Sequence, residues 1–114
     1  MPVSSDFRDF VLEQLRRVAP VTSRAMFGGV GIYANGIFFA LIDDDVVYFK
    51  ADDETRADFI AAGSKAFSPY GDDNYSMQYY ELPADVLEDE EALTSWMRKS
   101  LDAARRKSAK KRKR

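Results

Sequence analysis

Asn35-Gly36 stands between two apolar runs, residues 30–34 and 37–42. Both residue types tolerate positive φ, which a two-residue type I′ turn demands, so the pair sets up an antiparallel hairpin and dictates what its flanks must do. Before it, residues 24–27 read as a short strand, and Gly28-Gly29 permits a bend or bulge where they join the hairpin. After it, Asp43-Asp44-Asp45 turns the chain into residues 46–51. The stretch 24–53 is therefore an antiparallel meander. Val30, Ile32 and Ala34 alternate with Gly31 and Tyr33, the pattern of a strand with one buried face. Residues 37–42 are nearly continuously apolar, as in a central strand covered on both faces.

The remaining chain supplies packing. Ser4 or Ser5 caps a helix in which Phe7, Phe10, Val11, Leu15 and Val18 form an apolar stripe, and Pro20 ends it near Val18. Asp52 or Asp53 caps a second helix with Phe59 and Ile60 as its anchors and Gly63 just past its end. Residues 64–74 form an irregular connection with Phe67 and Tyr70 turned inward, and residues 75–82 read as a fifth strand. In it Tyr75, Met77 and Tyr79 share one face, while Tyr80 and Leu82 share the other. A single turn at 83–87 leads to a last helix carrying Leu93, Trp96, Met97, Leu101 and Ala104 at helical spacing. This order gives an α+β fold of two layers, an antiparallel sheet of about five strands with helices on one face.

At 114 residues the chain holds one domain, and 46% hydrophobic and 13% aromatic content suffices for one core. No apolar run reaches the roughly 20 residues that span a bilayer. The first ten residues lack the basic and apolar regions of a secretory signal, and cysteine is absent, so a cytoplasmic location is expected and membrane contact is not. Charge is divided unevenly. Residues 1–97 hold 7 Lys/Arg against 18 Asp/Glu, a net −11; residues 98–114 hold 10 against one, a net +9. The acidic body repels phosphates, so affinity for DNA or RNA would have to come from the end of the chain.

Without histidine or cysteine the chain has no Ser-His-Asp triad, no thiol nucleophile and no zinc site of the usual ligand set. The glycines at 28, 29 and 31 lead into a strand, whereas a dinucleotide loop must open a helix, and no Lys-Ser/Thr pair completes a P-loop. The three aspartates lack the spacing of an EF-hand. The aromatic residues lack the basic neighbours of an RNA-binding sheet. The reading is a non-enzyme with no cofactor and no metal. A small-molecule enzyme would require a deep pocket with convergent carboxylates. The one suggestive polar feature is the end of the chain. Residues 105–114, taken as a disordered tail after the domain at 1–104, offer Arg105, Arg106, Lys107, Lys110, Lys111, Arg112, Lys113 and Arg114 for sequence-independent DNA binding.

Several ordered segments resemble one family. Arg24-Ala25-Met26-Phe27-Gly28-Gly29, Gly31-Ile32-Tyr33, Phe39-Ala40-Leu41-Ile42, Tyr48-Phe49-Lys50-Ala51-Asp52, Tyr79-Tyr80-Glu81-Leu82-Pro83 and Trp96 are similar to the N-terminal domain of the TfoX/Sxy family, over about residues 5–105. The resemblance implies a secretion-chaperone-like α+β layout. Its full-length competence regulators carry a second domain and act as transcriptional co-activators with the cyclic-AMP receptor protein. It implies no catalytic residue. The function it implies is that of a regulatory binding module acting through protein contacts, with the transcription machinery as the candidate partner. Arg24, Met26, Phe27 and Tyr33 are its candidate contact residues. The alternative is DNA association through the tail, and a homodimer remains open.

Overall fold

In the computed structural model, which describes residues 4–26, 29–67 and 78–112 (108–112 as backbone alone), the meander is an open five-stranded antiparallel sheet in sequence order. The strands are β1 (Thr22–Met26), β2 (Gly29–Ala34), β3 (Ile37–Asp43), β4 (Val46–Lys50) and β5 (Tyr79–Glu81). Asn35 and Gly36 have φ of 52° and 78°, the two positive values a type I′ turn needs. Asp44 and Asp45 do the same between β3 and β4, at 51° and 57°. Asparagine and aspartate visit this region at lower cost than most residues because their short polar groups bond locally.

Three helices cover one face. In α1 (Ser5–Arg16) the Ser4 hydroxyl accepts the Phe7 amide at 3.2 Å, and the Ser4 amide donates to Asp45 at 2.8 Å, tying the helix start to the β3–β4 turn. Its buried residues are Val11, Leu12 and Leu15, with Phe7, Phe10 and Val18 half-buried at the rim. The stripe is thus one residue wider than the sequence spacing marks. In α2 (Arg56–Ala61) Phe59 is fully buried, whereas Ile60 is 57% exposed and anchors nothing. A step of ~100° per residue takes the neighbour of an inward side chain out to solvent in so short a helix. Gly63, at φ 81°, closes α2 with paired bonds, its amide to Ile60 and the Ser64 amide to Phe59, both 3.0 Å. After a short 3-10 turn (Ala84–Glu88), Asp89 accepts the Ala92 amide at 3.1 Å and opens α3 (Glu90–Arg112). Leu93, Met97, Ser100, Ala103 and Ala104 are its buried positions.

Beyond Ile60, three further sequence expectations change. The sheet irregularity lies in β3: Ile32 faces Ala40 and Tyr33 faces Phe38, so Phe39 is the extra residue of a bulge. Phe39 and Ala40 are both fully buried, Phe39 packs edge-on against Phe49 at 5.6 Å, and its carbonyl accepts the buried Ser100 hydroxyl at 2.8 Å. Gly28 lies outside the described residues. Gly29 stays in regular register opposite Met26, and a side chain there would drive into the Ile42 carbonyl. The second change is that β5 is short. It spans three residues, while Tyr70, Tyr75 and Met77 lie outside the described residues. The split of faces does hold for Tyr79 and Tyr80: Tyr80 stacks on Phe59 at 5.7 Å in the core, and Tyr79 meets Phe38 on the opposite face. Third, α3 continues as helix through Arg112, where the sequence reading has a disordered tail over 105–114. Lysine, arginine and alanine favour helix, and cations suit a helix C-terminus.

Candidate protein-contact surface

Away from the helices the sheet carries a second apolar layer. Tyr33 and Phe38 pair across β2 and β3 with ring centres 5.2 Å apart, and Phe38 meets Tyr79 at 5.7 Å. A cation stands at each end of this row: Arg24 with its guanidinium carbon 5.9 Å from the Tyr33 ring, and Lys50 with Nζ 5.1 Å from the Tyr79 ring. Tyr48 lies beside Phe67 at 4.7 Å. At the β4–β5 end the layer is closed, since Tyr79 and Lys50 are 6% and 5% exposed. Burial, then the neighbouring Tyr33, pushes the Tyr79 phenol well above its usual range, so its hydroxyl stays protonated at any physiological pH. Burial, then Glu81, Asp43 and Asp44, moves Tyr48 the same way.

At the β1 end the layer is open. Three of the four contact candidates, Arg24, Met26 and Tyr33, come together here: Arg24 is opposite Gly31, and Met26 is opposite Gly29. A side chain at Gly31 would stand 2.5 Å from Met26 Cε and 3.1 Å from Phe38 Cε1, so the glycine is the floor on which Met26 reaches toward Phe38. Thr22, Ser23, Arg24 and Ala25 are exposed, and Met26, Tyr33 and Phe38 are half-buried. Phe27 lies outside the described residues. Phe38 belongs to the patch but was missed from sequence. The Asn35-Gly36 turn contained the signal, because a two-residue turn places 34 opposite 37 and 33 opposite 38.

The two sheet edges differ. Along β5, the Phe67 amide donates to the Tyr79 carbonyl at 2.7 Å and the Glu81 amide donates to the Lys65 carbonyl at 2.9 Å. Along β1, no backbone hydrogen bond arrives from outside the β1–β2 pair among the described residues.

The basic end is only partly free. Arg106 holds Asp52 with two bonds, Nε to Oδ2 at 2.6 Å and Nη2 to Oδ1 at 3.1 Å, and also meets Glu54 at 3.0 Å. Asp52 accepts the Glu54 and Thr55 amides as well, so the same carboxylate caps the entry to α2. The Arg106 bond is the main reason its carboxyl lies below the usual aspartate range. Arg105 pairs with Asp102 at 3.4 Å, and Lys107 is exposed. Lys110, Lys111 and Arg112 lie on the last turns of α3, and Lys113 and Arg114 lie outside the described residues. Among the described residues no cluster of acidic side chains suits a metal ion, and no helix is long and apolar enough to cross a membrane.

The chain matches the TfoX N-terminal domain over residues 13–104, from the middle of α1 to the buried part of α3, and it belongs to that family. Among curated proteins no match was found.

Proposed function

We propose that this member of the TfoX N-terminal-domain family is a non-enzymatic regulatory module, cytoplasmic, that works by protein contact, with the transcription machinery as its partner. The observation that supports this reading is the open end of the second face. Half-buried Met26, Tyr33 and Phe38 lie there beside an exposed strand edge, in a form that suits a protein partner better than a small molecule. The test uses purified chain with promoter DNA carrying either RNA polymerase or the cyclic-AMP receptor protein, followed by fluorescence anisotropy. The expected result is a further rise on adding the chain that Tyr33→Ala and Met26→Asp reduce. A rise that both variants leave intact would remove the surface from consideration.

A second reading rests on the helical course of α3 through residue 112, a stretch that includes Lys110, Lys111 and Arg112, for sequence-independent contact with duplex DNA. Removing everything after Ala104 would also break the Arg106–Asp52 pair, so the informative deletion ends at Lys107. Binding by the full chain with a steep salt slope, lost in that deletion, supports DNA association; equal binding by both chains refutes it.

A further inference from the structure

We infer that the outer edge of β1 takes up an extended segment of a partner protein as a sixth strand, and that this segment carries a carboxylate opposite Arg24 and an apolar side chain opposite Met26. The inference rests on the protein-contact reading above and gives it a chemistry. Exposed edges present unused amides and carbonyls that pair readily with another chain, and proteins ordinarily block them with proline, lysine, bulges or a covering segment. β1 has five residues, no proline, no lysine and no bulge, and four of the five are exposed. The opposite edge is shorter and covered, so the same sheet shows what a blocked edge looks like.

Charge identifies the partner's chemistry. From Val18 to Ile42 the only charged residue is Arg24, in a chain whose first 97 residues are otherwise strongly acidic. Among the described residues Arg24 has no carboxylate partner, and its guanidinium rests only over the Tyr33 ring. An arriving strand places its side chains opposite those of β1 on the same face. Residues two apart on the newcomer therefore meet Arg24 and Met26, since those two are themselves two apart. Asp or Glu separated by one residue from an apolar side chain is the pattern that fits. Main-chain bonds supply affinity in such strand addition and alternate side chains supply selectivity.

A second copy of this chain fits poorly. Two-fold antiparallel pairing keeps like faces together, so residues of like parity meet. Every register that pairs three or more β1 residues then sets Arg24 opposite Arg24 of the copy or diagonal to it, at ~7–8 Å. No acid in the strand offsets that repulsion.

The test selects binders to the full chain from a displayed library of random decapeptides and measures the best synthetic peptides against 15N-labelled protein. The expected pool is enriched in Asp or Glu spaced by one residue from an apolar side chain. Its peptides bind Arg24→Glu at least ten-fold more weakly, and the amides among residues 22–26 that point away from β2 gain protection from hydrogen exchange. Selection on Arg24→Glu should return Lys or Arg at the acidic position. Peptides that perturb other residues and ignore Arg24→Glu overturn the edge assignment but leave a protein-binding module. A library with no β1-dependent binder overturns it outright, whatever the promoter assay shows. A promoter assay that fails beside β1-dependent peptides removes only the transcription partner. A dimer in sedimentation whose protected amides are those same outward ones gives the edge to a second copy and also overturns the inference.

Discussion

At the β5 edge, residues 65–67 run alongside the last strand and take up its outward groups, while the aromatic layer beneath is closed over Tyr79 and Lys50. At the β1 edge no such segment is present among the described residues, and the same layer opens on Arg24, Met26 and Tyr33. One sheet thus has one end finished for stability and one left available. The difference tracks what lies against each end on the helix side. Beneath β4 and β5, Phe59 contacts Trp96 at 4.6 Å and Tyr80 at 5.7 Å, and Arg106 ties α3 to the entry of α2. β1 contributes none of the fully buried side chains.

The largest expected effect tests this asymmetry directly. Phe59→Ala should cost about 3–5 kcal/mol, because a fully buried ring leaves a cavity between two aromatic neighbours. Met26→Ala at the open end should cost about 1 kcal/mol or less, as half-buried positions lose little packing. Urea unfolding of both variants decides it, and equal losses would show that the two ends share the core evenly.

Next comes Gly29→Ala. Its new methyl meets the Ile42 carbonyl, which is backbone and gives way only by shifting β2 against β3. A loss of about 1–3 kcal/mol is expected, together with line broadening confined to β1 and β2 in the amide spectrum. A silent substitution would mean that the close approach there is not required.

Much of this arrangement was legible from the chain alone, and the exceptions share a physical cause. Both two-residue turns, the Ser4 cap, the Gly63 stop and the opposed faces of Tyr79 and Tyr80 are set by local backbone chemistry. So is the pairing of Tyr33 with Phe38, which the turn at Asn35-Gly36 dictates. The β3 bulge was not legible, because its partner is Ser100, 61 residues away, and nothing around Phe39 marks it. The outward turn of Ile60 depends on which single residue of a short helix meets Trp96 and Tyr80. The Arg106–Asp52 pair joins residues 54 apart, so a run of cations that looked like a free tail begins with one that belongs to the fold. Of the contact candidates, Arg24, Met26 and Tyr33 were named from family resemblance, but the bare edge beside them appeared only once the strand order was known.

The clasp supplies a smaller, pH-dependent contrast between the two ends. Arg106 lowers the Asp52 carboxyl in the folded state relative to its value of about 3.9 in an unfolded chain. A group lowered in this way stabilises the fold fully above its unfolded value, and that contribution is lost as pH falls through the folded one. Asp52→Asn keeps an oxygen for the Glu54 and Thr55 amides and removes the charge. It should cost about 1 kcal/mol near pH 7, a modest figure because Arg106 is about one-third exposed. The gap between wild type and variant should stay level from about pH 5 to 8 and close below about pH 4. A gap that persists at pH 2 would place its origin in the cap and not in the ion pair.

The smallest expected effect bears most on what the open edge is for. Arg24→Glu exchanges an exposed cation whose one partner among the described residues is the Tyr33 ring, and an exposed cation–π contact is worth roughly 0.5–1 kcal/mol. The ring stays packed on Phe38 in either case, so no packing is lost with the cation and the urea midpoint should move by no more than the equivalent of that one contact. The same substitution reverses the one charge between Val18 and Ile42, so any ligand attracted to that charge should respond far more than the fold does. A side chain that matters little to stability and strongly to binding is the mark of a contact residue. If Arg24→Glu instead unfolds the chain as readily as Gly29→Ala, Arg24 belongs to the framework, and the two edges differ in covering but not in purpose.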